Sequence, residues 1–261
     1  MTQLMGVVNV TPDSFSDGGL YLDPETAVAH GRELAEAGAE ILDVGGESTR
    51  PGAEPVGEEE ELRRVVPVIR GLSGSQFRIS VDTSKAAVAA AALDAGAEIV
   101  NDVTALRGDA EMAGLCAERG ATVVLMHMLG DPRTMQRDPR YDDVVADVKA
   151  FLAERLEAAV GAGIDEERVW LDPGIGFGKT GAHNMELLRR LRELRALGRP
   201  LVIGTSRKSF IGKVDGSAAD QRLGGTIASS VLAAAEGADV LRVHDVAEMR
   251  QALTVAAAIL G

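Results

Sequence analysis

"AGAEILDVGG", residues 37–46, sets a glycine between two alanines at the end of a helix-favouring run and then begins an apolar run at once. Glycine can close a helix in the left-handed conformation, so the strand follows with no loop to speak of. The same join recurs at Ala95-Gly96-Ala97, Arg119-Gly120-Ala121 and Glu236-Gly237-Ala238. Outward from these joins, eight short β-branched or apolar runs can be read: LMGVVNV, EILDVGG, RISVD, EIVNDV, TVVLMH, VWLDP, LVIGT and DVLRVH. Helical stretches separate them. Unbroken apolar strands that alternate with helices call for parallel pairing with helices over the faces. Eight such units within 261 residues predict an α/β fold, a closed (β/α)8 TIM barrel. An open doubly wound sheet would carry a glycine fingerprint after its first strand. No linker or low-complexity tract breaks the chain, so one domain over 1–261 is expected.

The totals narrow the possible partners. A formal charge of −13 argues against nucleic acid and against an anionic membrane, both of which need clustered Lys and Arg. Cys116 is the only cysteine, so no disulfide can form within the chain. The absence of a cleavage-type signal and of a long apolar run leads to the expectation of a cytoplasmic protein.

Loop lengths indicate the working end. The helix-to-strand joins read as short, whereas three strand-to-helix loops, 11–22, 45–56 and 127–140, are long. Long loops at the C-terminal rim of such a barrel are where its chemistry sits. Asp23-Pro24 reads as N-cap and first helical residue after the first loop. At or just past the strand ends stand Asn9, Asp43 with Glu47, Asp82, Asn101, His127, Asp172, Lys208, Arg242 and His244. An Asp after a strand can also be a helix cap, and Asp82 ahead of Thr83-Ser84 has that alternative.

Carboxylates at a barrel mouth are costly to desolvate unless something donates to them, and a planar ligand with adjacent N–H groups does so in fork geometry. Asp82, Asn101 and Asp172 therefore describe a slot for a flat, donor-rich heterocycle such as an aminopyrimidinone. Lys208 would face its carbonyl, and Ser209 with a short helix over 209–212 would seat a carboxylate. Period two puts Arg242 and His244 on one side of the last strand's end. With Asn9 they could hold a diphosphate and Mg²⁺, a cation that prefers few protein oxygens plus phosphate and water. His30 and His183 read as surface or cap residues. Met126, Met128 and Met135 read as loop packing.

LDPGIGFGKTGAHN (171–184) superficially resembles the phosphate loop of an ATPase. Pro173 stands where that loop needs a glycine N–H, and Gly181-Ala182-His183 delay the helix, which is expected to start after Asn184 as N-cap.

NVTPDSFSDGG (9–19), ESTRPG (47–52), SVDTSK (80–85), VNDV (100–103), LMHM (125–128), LDPGIGFGKT (171–180), TSRKSF (205–210) and RVHD (242–245) together resemble the dihydropteroate synthase family over nearly the whole chain. The resemblance implies a transferase of folate synthesis that joins 6-hydroxymethyl-7,8-dihydropterin diphosphate to p-aminobenzoate and is the target of sulfonamides. It implies that Asp82, Asn101, Asp172 and Lys208 bind pterin, with Met126 and Gly204 also lining substrate. Asn9, Arg242 and His244 would serve the diphosphate and Mg²⁺, with Asn9 as metal ligand. Phe15, Asp17, Thr49, Arg50, Pro51 and Ser209 would serve the mobile loops and p-aminobenzoate. Phe177 would pack near that second substrate, and Gly174, Gly176 and Gly178 would shape a close-fitting loop. The family also implies a homodimer through outer helices. On these assignments Asp172→Ala should abolish pterin binding, and Arg242→Ala should cut turnover far more than pterin affinity.

Overall fold

A computed structural model describes residues 2–11, 23–48, 53–74 and 76–261. Its strands are β1 (Gln3–Asn9), β2 (Ile41–Gly45), β3 (Arg78–Asp82), β4 (Ile99–Asp102), β5 (Thr122–Met126), β6 (Val169–Asp172), β7 (Val202–Ile203) and β8 (Val240–Val243). All neighbours pair in parallel, in the order β6-β5-β4-β3-β2-β1-β8-β7. The two ends of that order meet where Leu171 N–H donates to the Pro200 carbonyl at 2.9 Å, beside a parallel bridge from Leu171 to Leu201. The sheet is thus a (β/α)8 TIM barrel.

The helices are α1 (Pro24–Glu36), α2 (Glu58–Leu72), α3 (Ala86–Ala95), α4 (Met112–Arg119), α5 (Val144–Gly161), α6 (Gly181–Arg189), α7 (Ser209–Asp215), α8 (Leu223–Ala235) and α9 (Val246–Leu260). Asp23 caps α1 by accepting from Thr26 N–H, with Pro24 at its start. Gly96 and Gly120 end α3 and α4 in the left-handed conformation, and Gly38 and Gly237 have φ of 109° and 101°. Two helix-to-strand joins are longer than the sequence suggested, because 3-10 turns at Glu166–Arg168 and Leu191–Leu197 precede β6 and β7. Helix α7 is an extra element between β7 and α8, and it runs three residues past the expected 209–212.

Apolar side chains pack in two shells. The larger fills the space between strands and helices, from Leu4 and Val8 through Leu72, Val88 and Leu152. The smaller is inside the cylinder: Met5, Ile41, Ile99, Val124, Trp170, Val202 and Val240. Burying each is worth about 1.5–3 kcal/mol for side chains of this size, so this inner layer is a firm floor. Side chains alternate along a strand, and the next inward layer is two residues further on: Val7, Asp43, Asn101, Met126, Asp172, Gly204 and Arg242. The barrel changes from oil to charge in a single step of the pleat.

Candidate active site

Arg242 is the hub of that second layer. Its Nε donates to Asp43 Oδ2 at 2.6 Å and a terminal nitrogen donates to Asp82 Oδ2 at 2.9 Å. Asn101 Nδ2 donates to the same Asp43 oxygen at 3.2 Å. Asp43 is fully buried, and its Oδ1 has no hydrogen-bond donor among the described residues. Desolvation pushes the Asp82 carboxyl up to about 7, against the pull of Arg242 and with Asp43 adding to the rise. Asp82 is therefore no helix cap; α3 starts four residues later, with Lys85 in the N-cap place.

Asp172 closes the other side of the slot. Its Oδ1 accepts from Gly174 N–H at 2.7 Å, and burial raises its pKa against the opposing charge of Lys208. Lys208 Nζ donates to the Ile175 carbonyl and sits 4.7 Å over the Phe177 ring. Desolvation pulls that ammonium down to about 8, with Asp172 resisting and Arg242 assisting. A Cβ added to Gly204 would lie 3.7 Å from Lys208 Nζ and 3.8 Å from Arg242 Cβ, so the strand passes right beside both cations. Met126 pairs with Asp172 across β5 and β6 and packs with Val103, Met128, Met135 and Phe177.

The segment 173–180 wraps this slot through glycine. Gly174, Gly176 and Gly178 have φ of 66°, 88° and 63°. A Cβ on Gly174 would stand 1.9 Å from the His127 carbonyl oxygen, an impossible approach for any other residue. Lys179, which an ATPase loop would turn to phosphate, is 1% exposed and points inward. Its Nζ reaches His127 Nδ1 at 2.8 Å and the Phe177 carbonyl at 2.9 Å. Burial holds the Lys179 amine well below its ordinary pKa, and burial with Lys179 beside it takes His127 down to about 3.

Helix α6 starts earlier than the sequence suggested. Helix α6 begins at Gly181 with Thr180 as N-cap, its Oγ1 accepting from His183 N–H at 3.2 Å. Asn184 lies inside the helix, where its Oδ1 takes the Gly176 N–H at 2.7 Å and its Nδ2 donates to the Thr180 carbonyl at 2.9 Å. A buried loop amide outbids the helix end for that side chain. His183 is a cap residue, and His30 lies on α1 near Glu33.

Asn9 is the last residue of β1, paired with Gly45, and His244 follows β8 directly. Ser209 is the first residue of α7 and is exposed. Phe15, Asp17, Thr49, Arg50 and Pro51 lie outside the described residues. Just after β2, Lys85 bridges Glu47 and the fully buried Glu61, and Arg64 donates to the Gly46 carbonyl at 2.8 Å.

Sequence reasoning named Asp43 at the rim without a role, and it missed the Lys179–His127 pair. The signal for Asp43 was its place two residues past Ile41, the same step that separates Ile99 from Asn101 and Trp170 from Asp172. Among the described residues no group of three His, Cys, Asp or Glu side chains could hold a metal alone, and no helix is long and apolar enough to cross a membrane.

Barrel and mouth together define an α/β-barrel enzyme whose rim gathers acidic, amide and cationic side chains in one cluster. The family model described as pterin binding enzyme matches residues 5–244. The dihydropteroate synthase of Escherichia coli K12 is 47% identical over 259 residues, covering 99% of this chain and 92% of its own length. With such likeness over its whole length, the chain belongs to the dihydropteroate synthase family of pterin-binding enzymes. A probable bifunctional folylpolyglutamate synthase/dihydropteroate synthase of Haloferax volcanii is 51% identical over 98% of this chain, which spans 30% of that longer protein. The Yersinia pestis dihydropteroate synthase, crystallised with a sulfonamide drug complex, superposes with a TM-score of 0.96 at 45% identity, covering 99% and 94% of the two chains. The Xanthomonas albilineans enzyme does so at 0.93 and 52% with 4-aminobenzoic acid, covering 100% and 93%. Its complex with 7,8-dihydropteroate gives 0.89 and 49%, covering 100% and 94%.

Proposed function

We propose that this chain is a dihydropteroate synthase, a transferase that condenses 6-hydroxymethyl-7,8-dihydropterin diphosphate with p-aminobenzoate to give 7,8-dihydropteroate and diphosphate in folate biosynthesis. The observation that carries the reading is the juxtaposition at the mouth: Asp82, Asn101 and Asp172 supply acceptors, while Lys208 and Arg242 stand within the same charge cluster. The aminopyrimidinone edge donates to the carboxylates, and Lys208 donates to the ring carbonyl. The relatives solved with 4-aminobenzoic acid and with 7,8-dihydropteroate support the two halves of the substrate assignment.

Bond breaking leads. The C–O bond between the pterin methylene and diphosphate opens, its electron pair leaves with the diphosphate, and the ring delocalises the cation left behind. Asp82 and Asp172 favour that positive charge by proximity. Arg242, His244 and Asn9 stabilise the departing negative charge; a preorganised contact of this kind is worth about 3–4 kcal/mol. The aryl amine then forms the C–N bond and gives its proton to the diphosphate or to water. A weakly basic aryl amine is already unprotonated at neutral pH, so this step needs no strong general base. Phe15, Asp17, Thr49, Arg50, Pro51 and Ser209 serve the mobile loops and p-aminobenzoate by family resemblance, and Phe177 packs near that second substrate.

Asn9 offers one neutral oxygen at the rim, a donor set that fits Mg²⁺ only when diphosphate and water complete its shell. Bound there, the ion would neutralise developing charge on the diphosphate. The chain works in the cytoplasm; it also forms a homodimer, a state supported by the exposed Leu232, Val255, Ile259 and Leu260 on α8 and α9. Diphosphate release measured with both substrates and Mg²⁺, beside either substrate alone, tests the activity. Release should be fast only with both. Rapid release from the pterin substrate alone, or none at all, would contradict the proposal.

A further inference from the structure

The turn 205–208 that delivers Lys208 is fastened from two sides. Thr205 Oγ1 meets Ser230 Oγ of α8 at 2.8 Å, and Arg207 N–H donates to Thr226 Oγ1 at 2.9 Å. Arg207 has a φ of +57°, rare for a side chain of that size, and its guanidinium is paired with Asp245 at 2.5 Å. Next to that ion pair, Ser206 Oγ lies 2.9 Å from His244 Nδ1 and 3.3 Å from the His244 backbone nitrogen. Ser206 is 8% exposed, so its hydroxyl proton has little access to water.

Counting donors settles the direction of these two bonds. A backbone N–H can only donate, and it occupies one lone pair of Ser206 Oγ. The hydroxyl has a single proton, and the one acceptor recorded for it among the described residues is Nδ1. Were Nδ1 protonated, it would donate into the second lone pair, and a nearly buried hydroxyl proton would be stranded at a cost. Nδ1 therefore accepts. A neutral imidazole that accepts at one nitrogen donates at the other.

We propose that Ser206 is a positioning residue that fixes His244 as the Nε2–H tautomer and so makes it a donor to the departing diphosphate. The second half rests on the proposed function, in which His244 serves the diphosphate. Without Ser206 the neutral ring can present a lone pair to an anion, which repels it.

The test combines a spectroscopic and a binding readout. Long-range ¹H–¹⁵N spectra near pH 8, where ordinary imidazoles are neutral, report the tautomer of each of the four histidines. His244 is assigned by the signals lost in His244→Gln. The wild type should show protonated Nε2 and bare Nδ1, Ser206→Ala should show mixed tautomers, and Ser206→Thr should restore the first pattern. Calorimetric affinity for sodium diphosphate, with and without Mg²⁺, should fall about two- to fivefold in Ser206→Ala, in proportion to the fraction of rings left as the Nε2–H tautomer. Affinity for an unreactive pterin should hold, which shows that the barrel is folded. Protonated Nδ1 in the wild type, or an unchanged tautomer in Ser206→Ala, would overturn the proposal. A changed tautomer with unchanged diphosphate affinity would overturn it too, by withdrawing His244 from the diphosphate while leaving the pterin slot standing.

Discussion

Asp82 and Lys208 carry the chemistry that titrates. With Asp82 raised to about 7, a pterin that needs it ionised must expel a proton below that pH. With Lys208 lowered to about 8, the donor to the ring carbonyl is lost above it. The dissociation constant of an unreactive pterin should therefore be lowest between those values and rise on either side. A flat profile from pH 5 to 9 would remove these two groups from the slot. Stability has its own sign: Asp82 ionises at a lower pH in the unfolded chain than in the folded one, so its contribution to stability falls as pH rises from about 4 to about 7. The ion pairs also change what Arg242→Ala should do. Because Arg242 neutralises Asp82 and the fully buried Asp43, its removal should weaken pterin binding as well as turnover. It should also cost about 2–4 kcal/mol in denaturant unfolding, less than for a wholly buried pair because the side chain is 24% exposed. None of this was legible residue by residue, since Arg242 and Asp43 are 199 positions apart.

At the level of elements, strands and their inward faces could be read because period two is a local property. Val-rich runs supply the floor, and two residues further β2, β4, β6 and β8 reach the polar Asp43, Asn101, Asp172 and Arg242. The start of α6 could not be read, because Thr180 and Asn184 are both good caps and the choice depends on Gly176, eight residues back from Asn184. The glycine loop is the most demanding element. Gly174→Ala should abolish pterin binding while leaving the outer helices folded, since its Cβ would meet the His127 carbonyl at 1.9 Å and push the Asp172 turn out of shape. Circular dichroism beside a pterin titration would show the separation; full pterin affinity in this variant would mean the loop relaxes without cost.

The whole molecule follows from a cylinder that closes on itself: the alternation of strand and helix gives the closure, and closure brings β2, β3, β4, β6, β7 and β8 together at one rim. Outer surfaces are less legible, because an exposed leucine on a helix has the same spelling whether water or protein faces it. If a second copy covers α8 and α9, Ile259→Asp, at a residue 77% exposed, should shift sedimentation from dimer to monomer with pterin affinity intact. A monomeric wild type would remove that interface. The central claim is that the polar layer above the apolar floor is a pterin slot. Calorimetry of 6-hydroxymethyl-7,8-dihydropterin diphosphate at about pH 6, in two buffers of different ionisation enthalpy, tests it most directly. Binding should occur without p-aminobenzoate, release protons to the buffer, and vanish in Asp172→Ala; undiminished binding in that variant, or binding with no proton released, would contradict it.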